Sequence, residues 1–400
     1  MKILLFFTIF LVFTGGVFAY FTWRLFCNAS ISRIWKVAVF LSIIAIFLLT
    51  PLTILLRRAG VDNSWVAVLV WSGYLGLGFL SFLFVCIVIR DILLAPAFFL
   101  RMLKTAKGHK IRQKSTSAVL EDPSRRGFLL TGGHYGIMAA AGVFTVYGLI
   151  QAKQTPGVKE ITIPVPGLPK DLQGFRIVQI TDIHVSPTIR RPFVEKVVQV
   201  VNGLGADIVV LTGDLVDGTV RQLSSDVAPL AGLRSNEGNF FVTGNHEYYS
   251  GVLPWVEKIR TLGFTVLLNE HRVLKRGRGL ILLGGVTDYR GGNFMPSHRS
   301  DPKKAIAGGP PVDVKILLAH QPRSIMAAAR AGFDLQISGH THGGQFFPWN
   351  FFVGLTQPFI AGLHRFQNTQ IYVSRGTGYW GPPIRLGAPP EITLIRLAAS

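Results

Sequence analysis

The sequence predicts an α/β protein in two parts: about four N-terminal transmembrane helices over residues 1–152, then an α/β domain over 153–400. Three observations carry this expectation. Long stretches without a charged side chain crowd the front of the chain. Beyond residue 160, short β-branched runs alternate with amphipathic helical patterns. Acidic, amide and imidazole side chains then recur directly after those runs.

Residues 3–23, 37–56 and 65–89 contain no charge. Each is long enough to cross an apolar bilayer core, which takes ~20 helical residues. The first run exceeds the apolar core of an ordinary signal peptide. The front part also carries an uneven share of the +20 net charge: residues 1–150 hold 15 Lys and Arg against 4 Asp and Glu, whereas residues 151–400 hold 26 against 17. The excess concentrates between Arg90 and Arg126, including RMLKTAKGHKIRQK (101–114). Beside a span, such a run reads as a cytoplasmic loop obeying the positive-inside rule. It has no aromatic platform for stacking bases, so nucleic acid is not expected as a partner.

SRRGFL (124–129) opens a further uncharged run that ends at Ala152. Paired arginines before an apolar run resemble the bacterial twin-arginine export signal. With the basic loop in the cytoplasm, this fourth span carries the chain outward, so the domain after about residue 153 is expected outside the cytoplasm of a bacterial inner membrane. Counting back puts the N-terminus outside as well. Ala139–Ala141 offers small residues for cleavage, but the apolar run continues past them and favours an uncleaved anchor. The two cysteines, Cys27 and Cys86, belong to the membrane part. The second part therefore has no disulfide framework and no cysteine zinc site.

After a Pro- and Gly-rich approach (161–174), the strand candidates are FRIVQI, ADIVVL, NFFV, GLILLGGV, DVKILLA, FDLQI, TQIYVS and EITLIRL. Helical patterns separate several of them (RPFVEKVVQVVNGLG, the region of DVAPLAGL, LPWVEKIRTLG, PRSIMAAARAG). The later strands follow one another with few helices between, which suggests a mixed sheet or two packed sheets. Five strand ends carry chemistry: Asp182 and His184 follow the first, Asp214 the second, Asn245 and His246 the third, His320 a later one, and His340 and His342 the next. Sites in open α/β sheets form at the carboxyl ends of strands. One Asp there would be a cap or turn residue. Five such ends, bearing nitrogen and oxygen donors among glycines, point to a metal site. In SGHTHGGQ (338–345), residues i and i+2 of an extended chain point the same way, so both imidazoles can reach one small object.

The ordered set DIH, GDLVDG, GNHE, HQP and GHTH resembles the calcineurin-like metallophosphoesterase superfamily over roughly residues 175–345. GHTHGGQ together with a twin-arginine anchor is similar to a membrane-associated bacterial branch of it. The resemblance implies a four-layer αββα domain with two divalent cations, Mn, Fe or Zn, at the strand ends. It assigns Asp182, His184 and His342 to the first cation, Asp214 to a bridge, and Asn245, His320 and His340 to the second. His246 matches the catalytic histidine near the leaving-group oxygen. Glu247 would orient it or shape the turn, and Asp217 reads as a supporting or turn residue. GDLVDGT has Gly218 where protein-phosphatase relatives carry an arginine, which argues against a phosphoprotein substrate.

The function expected is a membrane-anchored phosphoesterase acting on a phosphodiester or pyrophosphate, including one on an amphiphilic lipid or cell-envelope intermediate. A phosphomonoesterase or nucleotide phosphodiesterase is the alternative, and a non-catalytic metal-binding scaffold a third reading. The aromatic stretch FFPWNFFVGLTQPFIAGLHRF (346–366) packs between sheets or, as its two prolines and broken alternation suggest, forms a loop that touches membrane lipid.

Overall fold

The computed structural model describes residues 16, 17, 20, 21, 23, 24, 32–107 and 123–400. Most of the first apolar run and the middle of the basic loop, 108–122, lie outside the described residues. The chain divides into two compact units, Met1–Val146 and Tyr147–Ser400.

The first unit contains α1 (Arg33–Arg58), α2 (Ser64–Lys107) and the start of α3 (Pro123–Lys153). Among the described residues, three helical segments are long and apolar enough to cross a membrane: Arg33–Arg58, Ser64–Pro96 and Gly132–Lys153. α1 and α2 approach closely at Gly76, where an added Cβ would meet the Ile46 side chain at 2.7 Å. Small residues at such crossings let helices pack where no hydrophobic drive operates between them. Arg125 and Arg126 fall at the N-terminal end of α3.

The second unit is built on two six-stranded mixed sheets. The first has the order β1 (Gly157–Val165), β12 (Glu391–Ala399), β2 (Arg176–Ile180), β3 (Ile208–Leu211), β4 (Asn239–Phe241), β5 (Phe264–Val266), with β2 to β5 mutually parallel. The second runs β10 (Gly362–Phe366), β11 (Thr369–Val373), β9 (Leu335–Ser338), β8 (Val314–Leu318), β7 (Gly279–Gly285), β6 (Glu270–Arg276). Its inner strands β11, β9, β8 and β7 are parallel.

Strand alternation decides what meets what. Ile177, Ile208 and Val210 of the first sheet share one buried cluster with Ile281, Leu283, Ile316, Leu318 and Ile337 of the second, so the sheets pack face to face. The intervening side chains, Val178, Ile180, Val209 and Leu211, turn outward. They pack under α4 (Arg191–Asn202), α5 (Val220–Val227) and α7 (Val252–Thr261). In α4 the valines at 194, 197, 198 and 201 recur with helical spacing and are buried. Each contributes roughly 1.5–3 kcal/mol of apolar burial. On the far face of the second sheet, Leu282 and Leu317 pack against Ala305 of α8 (Pro302–Ile306) and Ala328 of α9 (Ile325–Ala331).

Candidate metal centre

Parallel strands put their carboxyl ends on one edge, and both sheets contribute there. Asp182 and His184 follow β2, and Asp214 follows β3. Asn245 opens the short α6 (Asn245–Ser250) after β4. From the second sheet, His320 follows β8, and His340 and His342 follow β9. Five of these seven residues adopt left-handed backbone: Asp182, His184, Asp214, His340 and His342, with φ of 51–73°. That conformation costs an ordinary residue about 1–2 kcal/mol. It turns each side chain sharply off the strand end, and non-glycine outliers of this kind cluster at functional sites. The glycines between them have a steric cause. A Cβ on Gly244 would collide with the Asp214 carboxylate, and one on Gly339 with Asp182.

Among the described residues three sets of potential ligand atoms each lie within 4.8 Å: Asp182 with His184 and His342, Asp214 with His320 and His340, and His184 with Asp217 and His246, the last joined by Nδ1 hydrogen bonds. In the first, His184 Nε2 lies 3.0 Å from His342 Nε2. In the second, His320 Nε2 lies 3.1 Å from both His340 Nδ1 and Asp214 Oδ2. Asp214 Oδ2 also stands 3.8 Å from His184 Nε2, between the groups. Asn245 Oδ1 is buried without a hydrogen-bond partner in the same region. Nitrogen atoms that face one another, carboxylates among them and an orphaned amide oxygen fit two divalent cations. A set of oxygen and imidazole donors without thiolate suits Mn²⁺, Fe or Zn²⁺.

Outer hydrogen bonds fix the imidazoles. His320 Nδ1 donates to Thr212 O at 2.8 Å, leaving Nε2 to face the site. Asp217 accepts from Nδ1 of His184 at 3.2 Å and of His246 at 2.5 Å, so one carboxylate aligns two rings. Burial holds His340 down at about 3 and His342 well below its ordinary value, with His320 and Arg385 respectively adding to the shift, so both rings are neutral; at His320 the Asp214 carboxylate outweighs burial and raises it to about 10, so that ring must give up a proton to serve as a metal donor. His246 behaves oppositely. Burial opposes its charge, but Asp214 and Asp217 outweigh that and raise it to about 9.

Glu247 shapes the turn. Its carboxylate accepts from the backbone N–H of Asp214 (3.0 Å), Leu215 (2.8 Å) and Gly244 (2.7 Å). Glu247→Gln turns one acceptor into a donor facing a backbone N–H, so a buried donor is left unpaired. The variant is expected to lose about 1–3 kcal/mol, read as a lower thermal midpoint. An unchanged midpoint would remove the structural role of this carboxylate.

The sequence reading missed three neighbours. Arg385 is fully buried; it donates to the backbone carbonyls of His342 and Arg375, and its Nη2 lies 3.0 Å from His342 Nδ1. Tyr249 and Trp380 place their rings 5.1 and 5.6 Å from His246. No motif flags a lone arginine 43 residues beyond the histidine it supports. The GTGYWGPP stretch, rich in glycine and aromatics, was a signal for Trp380.

A cavity of about 560 Å³ opens over the donors, lined also by His246, Tyr249, Phe346, Trp349, Val353 and Trp380. The family described as calcineurin-like phosphoesterase matches residues 175–344, which carry all seven donors, His246, Asp217 and Glu247. The chain belongs to that family. This metallophosphoesterase is 40% identical over 263 residues to a zebrafish (Danio rerio) protein named "Transmembrane protein with metallophosphoesterase domain", covering 64% of this chain and 60% of the relative. A bovine (Bos taurus) protein of the same name is 42% identical over 270 residues, covering 64% and 61%. The match thus spans about three fifths of the length of both. An uncharacterized metallophosphoesterase of Helicobacter pylori (strain J99) is 39% identical, covering 69% of this chain and 73% of its own.

Proposed function

We propose that this metallophosphoesterase is a membrane-anchored hydrolase of phosphodiester or pyrophosphate bonds, acting on a lipid or cell-envelope intermediate outside the cytoplasm of a bacterial inner membrane. Residues 1–152 would be the membrane region and 153–400 the catalytic domain, with the helices outside its two sheets completing a four-layer arrangement. The observation that carries the reading is the convergence of two donor groups on Asp214 beside His246.

In this reading Asp182, His184 and His342 would hold one cation, His320, His340 and Asn245 the other, and Asp214 would serve both. When bound, such a pair would supply Lewis acidity to a phosphoryl group and hydroxide near neutral pH. His246, held by Asp217, donates a proton to the leaving oxygen. Trp380 and Tyr249 border that ring and limit water around it. Among the described residues the cavity lining includes no Lys or Arg. That favours a diester, with one charge per phosphorus, over a monoester dianion or a phosphoprotein.

The full chain in detergent, stripped and reloaded with single metals, tests this. Bis(4-nitrophenyl) phosphate should turn over faster than 4-nitrophenyl phosphate, and chelation should stop both. A monoester preference would select the alternative phosphatase reading. Two bound ions with no turnover of either would select the scaffold.

The outward orientation is supported by Arg125 and Arg126 ahead of the uncharged run. Replacing both by Lys is expected to leave the catalytic domain protected from external protease in spheroplasts. Unchanged exposure would mean that loop charge alone sets the orientation.

A further inference from the structure

The cavity over the donor groups has two unlike walls. One is the carboxylates and imidazoles. The other is aromatic and aliphatic, and it leads onto the short helix α10 (Trp349–Val353). Trp349 and Val353 line the cavity. The same helix and its flanks turn Phe347, Phe351, Phe352 and Leu355 to solvent, exposed by 42, 66, 55 and 81%. No residue of α10 is buried.

We propose that α10 and its flanks are the binding surface for the hydrocarbon chain of a membrane-lipid phosphoester whose phosphate sits at the donor groups. This rests on the phosphoesterase reading above and names which part of the substrate the apolar wall receives.

Three observations select a hydrocarbon chain. First, among the described residues the lining holds no Lys or Arg, so anionic groups beyond those held at the donor groups would meet no cationic side chain of the lining. Secondly, two polar side chains of the lining, Gln345 and Thr341, are already committed. Gln345 Nε2 donates to the carbonyls of Trp380 and Pro382, its Oε1 accepts from Trp380 N, and Thr341 Oγ1 donates to Ile360 O. Thirdly, the apolar wall does not end inside the cavity but continues into exposed Phe351, Phe352 and Leu355, a path that suits a flexible chain longer than the cavity. The source of such chains is close in the sequence. The last candidate span, Gly132–Lys153, runs past Tyr147, where the second unit begins.

The test uses the full chain in nanodiscs, because detergent would itself cover the surface. Methyl, butyl and octyl 4-nitrophenyl phosphodiesters are compared at saturating metal. The wild type should show KM falling by roughly tenfold or more from methyl to octyl, as added methylenes leave water. Phe351→Ser with Phe352→Ser and Leu355→Ser should abolish that ratio. Should this variant fold poorly, Leu355→Ser alone should reduce the ratio.

A second readout needs no turnover. Phe352→Cys, in a Cys27→Ser, Cys86→Ser background and labelled with an environment-sensitive dye, should shift to the blue with octyl phosphonate but not with methyl phosphonate. If no diester is hydrolysed while the dye still responds to octyl phosphonate, the hydrolytic reading fails and the chain-binding surface stands. A flat KM series with a silent dye overturns the surface. A dye already blue-shifted before ligand is added also overturns it, since α10 would then be a bilayer contact rather than a substrate site.

Discussion

Asp214→Ala is expected to abolish turnover and to leave fewer than two metal ions per chain. This carboxylate is buried, 3.1 Å from His320 Nε2 and 3.8 Å from His184 Nε2, so it faces donors of both groups at once. Two cations ~3.5–4 Å apart repel strongly, and the shared negative charge offsets that repulsion. Its second oxygen accepts from the backbone N–H of His246 at 2.9 Å, so the alanine also frees the turn bearing that ring. Asp214→Asn separates the two effects. The amide can keep an acceptor for that N–H while losing the charge, and it should lose metal like the alanine yet remain folded. Metal analysis finding two ions per chain in Asp214→Ala would end the bridging role.

His246→Ala should keep both ions and slow turnover by about 10²–10⁴-fold, the usual worth of a positioned acid or base. Its Nε2 stands 4.0 Å from Asp214 Oδ2, while its Nδ1 is committed to Asp217 at 2.5 Å. With Nδ1 so held, Nε2 is the nitrogen left to face the cavity beside Asp214. The deficit should shrink as the leaving group becomes more acidic and needs less protonation. A deficit equal across phenols of very different acidity would rule out proton donation.

Which strands were legible in the sequence follows from their place in the sheets. All eight inner strands are buried apolar runs and stand out as such. The four that escape notice, β1, β5, β6 and β10, are the edges. An edge strand faces solvent along one side, and natural edges are kept polar, short or interrupted. β1 carries Lys159, Glu160 and Pro164, β6 reads EHRVLKR, and β5 has three residues. The candidate donors stood out for the opposite reason: each comes soon after an inner strand that is itself easy to see. Asp217 was left as a supporting or turn residue, because nothing local reveals that its carboxylate meets two rings from other loops. Arg385 was invisible. Its role exists only once residues far apart in the chain are brought together.

The seam between the sheets has a consequence for how this chain folds and unfolds. Asp182, His184, Asp214 and Asn245 hang from the first sheet, His320, His340 and His342 from the second, and His184 and His342 are 158 positions apart. Neither sheet alone can assemble the donor set, so it completes only after the two halves have docked, late in a slow, long-range folding process. Ions that bind this docked state and not the open chain then act as rivets across the seam. Their loss should show first as faster parting of the two halves, a change in lifetime before any change in shape.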